Sequence, residues 1–246
     1  YVENNTENSG EITNCTNEGK IEEQTGSKYY TAGIVADNQN GNITSCTNNG
    51  KIDGKIVGGI VGKSTGYIVA CQNTAEISNL KENSNDEEFA GGIVAIENSK
   101  NTGNVIGSTN IGGIAGESKG TITQCRNDGQ VSKVAGVICK TVNLGGLVGK
   151  NGEAARLSNS KNYGNVNSET DTLVNLGGIC GILYNNSIVE LCENNGAISG
   201  SGKEIIPNED TNTNCASCTS NNGGSASTDD FGQLNIGIIY GKYQEI

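Results

Sequence analysis

The chain of 246 residues has no His, no Met and no Trp, a single Pro at Pro207, and only two Phe. A globular core built on large rings is therefore excluded, and the interior must be thin and lined with small and β-branched side chains. Basic residues are scarce too: 16 Lys and Arg against 27 Asp and Glu leave a formal charge of −11. That balance disfavours a duplex nucleic acid or an anionic bilayer as partner. No apolar run approaches the roughly 18 residues of a membrane span. No signal peptide stands at Tyr1 and no lipidation or sorting signal at the C-terminus. Because the chain opens and closes close to repeat material, it reads as a mature or excised segment of something longer.

Gly contributes 37 residues, and Asn, Ser and Thr abound. Composition alone is compatible with disorder; the order in which the aliphatic residues recur is not. One unit appears seven times: an aliphatic residue, two variable positions, Cys or Ser, one variable, Asn, one variable, Gly, one variable, then Ile or Val. The copies are Ile12-Cys15-Asn17-Gly19-Ile21, Ile43-Cys46-Asn48-Gly50-Ile52, Ile68-Cys71-Asn73-Ala75-Ile77 and Ile96-Ser99-Asn101-Gly103-Val105. They continue with Ile122-Cys125-Asn127-Gly129-Val131, Leu157-Ser160-Asn162-Gly164-Val166 and Val189-Cys192-Asn194-Gly196-Ile198. A second block of the form Gly-Gly-Ile-Val-Gly follows each copy after a spacer, its aliphatic position held by Ile34, Ile60, Ile93, Ile114, Leu147, Ile179 and Ile238.

Segments this short bury too little to stand alone, so each must stack on its neighbours. Gly and β-branched density excludes helices. The expected fold is an all-β, parallel β-solenoid of about seven coils in one domain spanning 1–246, right-handed by the crossover rule. The coils run over about 10–36, 41–62, 66–95, 96–116, 120–149, 155–181 and 187–241, with a long insertion at 201–235 in the last. At about 4.8 Å per coil the body is on the order of 35 Å long. Asn17, Asn48, Asn73, Asn101, Asn127, Asn162 and Asn194 should form an amide ladder bonding from coil to coil. The Gly two residues on fits a corner needing positive φ or close backbone approach.

The paired blocks, for example Gly58-Gly59-Ile60-Val61-Gly62 followed by Gly66-Tyr67-Ile68 and Cys71-Gln72-Asn73, resemble the GLUG repeat of bacterial secreted proteins. The similarity runs from about Gly10 to Gly241. GLUG repeats occur in large cell-surface proteins, including adhesin-like proteins and the non-catalytic parts of immunoglobulin A-cleaving metalloproteases. The resemblance implies surface display or adhesion outside the cell, and no catalytic residue: a zinc-binding His-Glu-x-x-His cannot exist without His.

Cys15, Cys46, Cys71, Cys125 and Cys192 share one repeat position at which Ser stands twice, so reduced, buried thiols are expected in preference to ladder disulfides. Cys139, Cys180, Cys215 and Cys218 lie off that ladder. For Cys215-Ala216-Ser217-Cys218 a loop-clamping disulfide is favoured over free thiols and over metal or redox chemistry.

The spacers are shortest in coils two and four, longer over 22–31, 78–89, 132–143 and 167–175, and longest over 200–235. Interrupting the repeat at one point, they should emerge along one edge, which is where ligand specificity is expected. Tyr29 and Tyr30, with Phe89 behind Asp86-Glu87-Glu88, form a candidate protein- or carbohydrate-binding edge; the plain alternative is that the rings cover the hydrophobic rim and the acids are solvated. No cofactor is expected, although Asp86-Glu87-Glu88, Glu209-Asp210 and Asp229-Asp230 offer oxygen ligands for calcium without a recognised spacing. The expected partners are a host or matrix protein or glycan, or neighbouring domains of a larger surface protein. Two other functions are compatible with the fold: a polysaccharide-acting enzyme, which needs paired carboxylates in a groove, and an ice- or surface-binding solenoid. The latter needs flat Thr ranks, hinted at by Thr13, Thr44 and Thr123 but broken by Val69, Glu97 and Ser158.

Overall fold

A computed structural model describes residues 10–23, 30–79, 89–90, 92–134, 141–168, 173–184, 186–207, 215–216, 218–220, 224–237 and 240–244; side chains are described as far as residue 200, except at 89–95 and 173, and at Cys218. Every element is a β-strand, and every strand pair is parallel and joins successive coils. The chain is a parallel β-solenoid.

The second full coil illustrates the plan. A first-face strand, Asn42–Thr44, leads to a two-residue strand, Thr47–Asn48, on the second face, and then to Ile52–Asp53 on the third. Ile56–Gly58 and Val61–Ser64 complete the turn before Tyr67–Val69 lies in register above Asn42–Thr44. Third- and fourth-position strands belong to one 14-stranded sheet, and first-position strands run through an 11-stranded sheet. Gly92–Glu97 and Ala115–Thr123 cross from fifth position to first without a break.

Among the described residues the interior is apolar on two sides, which hold three clusters of buried side chains. Ile52, Val57, Ile77, Val105, Ile111, Val131, Leu144, Val166, Leu176 and Ile198 line one. The other holds the first-face ladder, with Ile122, Leu157 and Val189, against Leu147, Ile179 and Cys180. Many of these side chains are fully buried, each worth about 1.5–3 kcal/mol on transfer from water, and none gains that burial within its own coil.

Between these sides the two sequence blocks meet. A Cβ on Gly59, Gly113 or Gly146 would collide with the amide of Asn73, Asn127 or Asn162 respectively. The first Gly of the same block, Gly58, Gly112 or Gly145, closes a turn so tight that a Cβ would strike the carbonyl three residues on. The Gly after each ladder Asn is set by close approach: at Gly50, Gly103, Gly129, Gly164 and Gly196 a Cβ would run into the backbone of the coil below. Positive φ falls elsewhere, at the residue before each Cys or Ser, on Asn14, Ser45, Ala70, Asn98, Gln124, Asn159 and Leu191, with φ from 48° to 55°.

The stretch 201–235, expected as an insertion, carries strands that stack. Cys215 lies in register with Val189, Thr219–Ser220 with Glu193–Asn194, and Gly224 with Ile198. Among the described residues the second-face sheet therefore has eight strands, one more than the seven repeat copies. The spacing aliphatic-x2-Cys-x-Asn survives there as Cys215-x2-Cys218-x-Ser220, with Cys in the aliphatic place and Ser in that of Asn, which hides the copy from a pattern based on side-chain class.

At the opposite end the first coil has no row beneath it among the described residues. Cys15 is exposed and Ile12 and Ile21 are half-buried, whereas Ile43 and Ile52 above them are 1% and 0% exposed.

Candidate functional site

The expected Asn ladder exists. Nδ2 of Asn17 donates to Oδ1 of Asn48 at 2.7 Å, and the chain of amides continues through Asn73, Asn101, Asn127 and Asn162 to Asn194 at 2.7–2.9 Å. The second N–H of each amide bonds the carbonyl two residues on, as in Asn127 to Gly129 at 2.8 Å. Every ladder amide from Asn48 upward is nearly or fully buried, so these bonds meet a desolvation cost no water is there to offset. The residues are structural.

The thiol ladder is likewise in place. Cys46, Cys71, Cys125 and Cys192 are free and buried, and Cys15 is free and exposed. Their Sγ–H groups donate to carbonyls, for example Cys125 to Thr123 at 3.2 Å. Loss of water pushes the thiol of Cys125 up to about 12 and those of Cys71 and Cys192 to about 11, which makes them poor nucleophiles at neutral pH. Cys180, off the ladder, is free and fully buried. Cys218 is disulfide-bonded; the side chain of Cys215 lies outside the described residues.

The spacer edge is built by the third- and fourth-position strands. Ile21–Glu22 precedes the first long spacer and Tyr30–Ala32 follows it; Ile77–Ser78 and Phe89–Ala90 bracket the second, Val131–Lys133 and Thr141–Gly145 the next. All these strands lie in the same 14-stranded sheet, so the spacers leave and re-enter along one line parallel to the axis. In coils two and four only two residues, Gly54-Lys55 and Ser108-Thr109, make the crossing. Of the expected binding residues, Tyr30 is half-buried, with the Lys63 ammonium 5.2 Å from its ring centre. The Phe89 backbone lies in register below Asn110, and its neighbour Ala90 lies above Val57. Tyr29, Asp86, Glu87 and Glu88 lie outside the described residues.

A second amide ladder escaped the sequence reading. Asn143 donates to Asn110 at 2.7 Å and Asn175 to Asn143 at 2.6 Å, all three buried, and Asn235 is in register with Asn175. Its signal is the Asn that precedes the aliphatic residue before each Gly-Gly pair in the later coils. Also unforeseen is a basic rank on the second face: Lys100, Arg126 and Lys161 lie in register, between Gln72 and Glu193. Asp128 takes Lys100 at 3.0 Å and Arg126 at 2.6 Å, and Glu193 takes Lys161 at 2.8 Å. The rank is thus largely neutralised. Thr13, Thr44, Val69, Glu97, Thr123, Ser158 and Glu190 share one column, so the Thr rank is interrupted in space as in sequence.

Among the described residues no three His, Cys, Asp or Glu side chains converge to hold a metal ion, and no helix is long and apolar enough to cross a membrane. No family model, no curated protein and no solved structure matches the chain.

Proposed function

We propose that the chain is a non-catalytic, extracellular structural and adhesive module: a stiff spacer whose long connections present a binding edge to a host or matrix protein or glycan. The supporting observation is the alignment of the strands that bracket each long spacer on one side of the solenoid, the arrangement that repeat arrays use to vary a binding surface without disturbing the stack. Stiffness follows from two amide ladders and a continuous parallel hydrogen-bond network. The GLUG resemblance supports surface display, and supplies the expected setting of a larger bacterial surface protein.

The test compares the intact chain with one in which 24–29 and 80–88 are each replaced by the two-residue crossing of coil two, Gly54-Lys55, on arrays of glycans and extracellular matrix proteins. Circular dichroism and melting temperature establish that the shortened chain keeps its fold. Binding that is lost with the spacers supports the reading. Binding unchanged by their removal, or turnover of any arrayed polysaccharide, overturns it.

A further inference from the structure

On the second face each ladder Asn turns inward, so the residues before and after it turn outward. In coils five and six these are Arg126 with Asp128, flanking buried Asn127, and Lys161 with Tyr163, flanking buried Asn162. Register stacks Lys100, Arg126 and Lys161 in one column, about 4.8 Å apart from coil to coil. The charges of this column are nearly cancelled, but its donors are not used up. Asp128 is engaged twice, through Oδ1 by Arg126 Nε at 2.6 Å and through Oδ2 by Lys100 Nζ at 3.0 Å, and Glu193 takes Lys161 at 2.8 Å. Three cations thus meet two carboxylates, which leaves one positive charge over on a chain of −11. Arg126 donates through Nε alone: among the described residues neither of its Nη nitrogens is hydrogen-bonded. Its guanidinium lies against the Tyr163 ring, 4.3 Å from the ring centre, so the direction of the fork is fixed before any ligand arrives. Tyr163 itself stays 39% exposed.

We propose that the second face of coils four to six binds a polysaccharide of uronic acids. A sugar carboxylate accepts two N–H groups from the Arg126 fork, the planar pairing that guanidinium favours. The ammonium groups of Lys100 and Lys161 reach the sugars on either side, and the C–H face of one sugar lies on the open part of the Tyr163 ring. The rise of one coil is close to the length of one pyranose in an extended chain, so a polymer running along the axis keeps pace with the column. The leftover positive charge selects an acidic ligand, and the exposed ring selects a glycan over an acidic peptide, which would bring carboxylates without a C–H face to stack. This surface is separate from the spacer edge, where the chain leaves the stack between third- and fourth-position strands.

The experiment is isothermal titration calorimetry of the full chain with oligogalacturonates, beside their fully methyl-esterified form and polyglutamate. Arg126→Gln and Tyr163→Ala should each weaken oligogalacturonate binding several-fold. Asp128→Asn, which releases both Arg126 and Lys100, should tighten it several-fold, a gain that a merely structural role for the ion pairs does not give. Gln72→Ala, in the same column two coils below Arg126, should leave it unchanged, and circular dichroism verifies that every variant is folded. The inference is overturned if the parent chain binds no oligogalacturonate, if the esterified form or polyglutamate binds as well, or if folded Arg126→Gln and Asp128→Asn variants bind as the parent does. The chain shortened at 24–29 and 80–88 should retain this binding and lose it with Arg126→Gln; loss on shortening alone also overturns the inference. The spacer edge is judged on ligands that Arg126→Gln leaves bound, so the two surfaces stand or fail separately.

Discussion

Gly146 lies directly against the amide of Asn162 across the interior, so close that any side chain on the glycine would occupy the space of the amide. Two blocks that look independent in sequence are thus the two halves of one contact, repeated at Gly59 with Asn73 and Gly113 with Asn127. Neither block can drift without the other.

A methyl group at the Gly of this repeat position should cost little at the end of the stack and more in coil five, although coil three carries one at Ala75. Around Gly19 the nearest atom to an added Cβ is the Asn17 side-chain oxygen at 3.7 Å, whereas at Gly129 the Cβ would enter the Gly103 carbonyl. Gly19→Ala is expected to change stability by less than about 0.5 kcal/mol, and Gly129→Ala to cost about 3 kcal/mol, the scale of overpacking. Urea denaturation of both variants reads the difference.

Asn127 accepts from Asn101 at 2.8 Å and donates to Asn162 at 2.9 Å and to Gly129. Replacing it with Ala strands a donor on one side and an acceptor on the other, all buried, for a loss of about 3 kcal/mol or more. Asn17, which among the described residues has a ladder neighbour only above it and is partly exposed, should cost about 1 kcal/mol on the same change. Equal losses at the two sites would count against the ladder as a source of stability.

Ala70 and Leu191 hold φ of 54° and 52° in a column where Asn14, Asn98 and Asn159 hold the same conformation. Left-handed backbone costs an ordinary L residue about 1 kcal/mol, and Asn less. Ala70→Asn should therefore raise the melting temperature, by about 0.5 kcal/mol in stability, and differential scanning fluorimetry suffices to check the sign.

Asn151 is fully buried with neither amide atom bonded, and Leu183 stands in register above it. The Asn at the equivalent place in the first coil, Asn38, closes its turn onto Gly41. After Asn151 the turn runs through Gly152 and Ala155 instead, so the amide has no such partner. Asn151→Leu is expected to stabilise by about 1–2 kcal/mol, measured as a rise in the urea midpoint.

The buried thiols predict an alkaline limit. Burial raises the folded pKa of Cys125 from 9.0 to about 12 and of Cys71 and Cys192 to about 11, while the unfolded thiols ionise near 9. Their contribution to stability is full below pH 9 and is lost as pH rises from 9 toward 11–12, because only the unfolded chain releases the protons in that window. Cys125→Ser, the residue already used at Ser99 and Ser160, should flatten that decline. A maleimide probe at pH 7 should label exposed Cys15 while leaving the buried ladder thiols unmodified until denaturant is added.

The amino-acid sequence by itself determined the architecture and the Asn17-to-Asn194 and thiol ladders, because a repeat whose units cannot fold alone leaves stacking in register as the only way to bury Ile43 on Ile12 or bond Asn48 to Asn17. It could not rank the two reasons for glycine. Only the tertiary structure decided that Gly129 is set by the neighbouring coil and that the left-handed corner belongs to residues such as Asn14 and Leu191, since φ and the distance between coils leave no trace in residue spacing. Nor could a pattern of side-chain classes detect the row at 215–224, where Cys and Ser occupy aliphatic and Asn places and backbone pairing alone maintains the register.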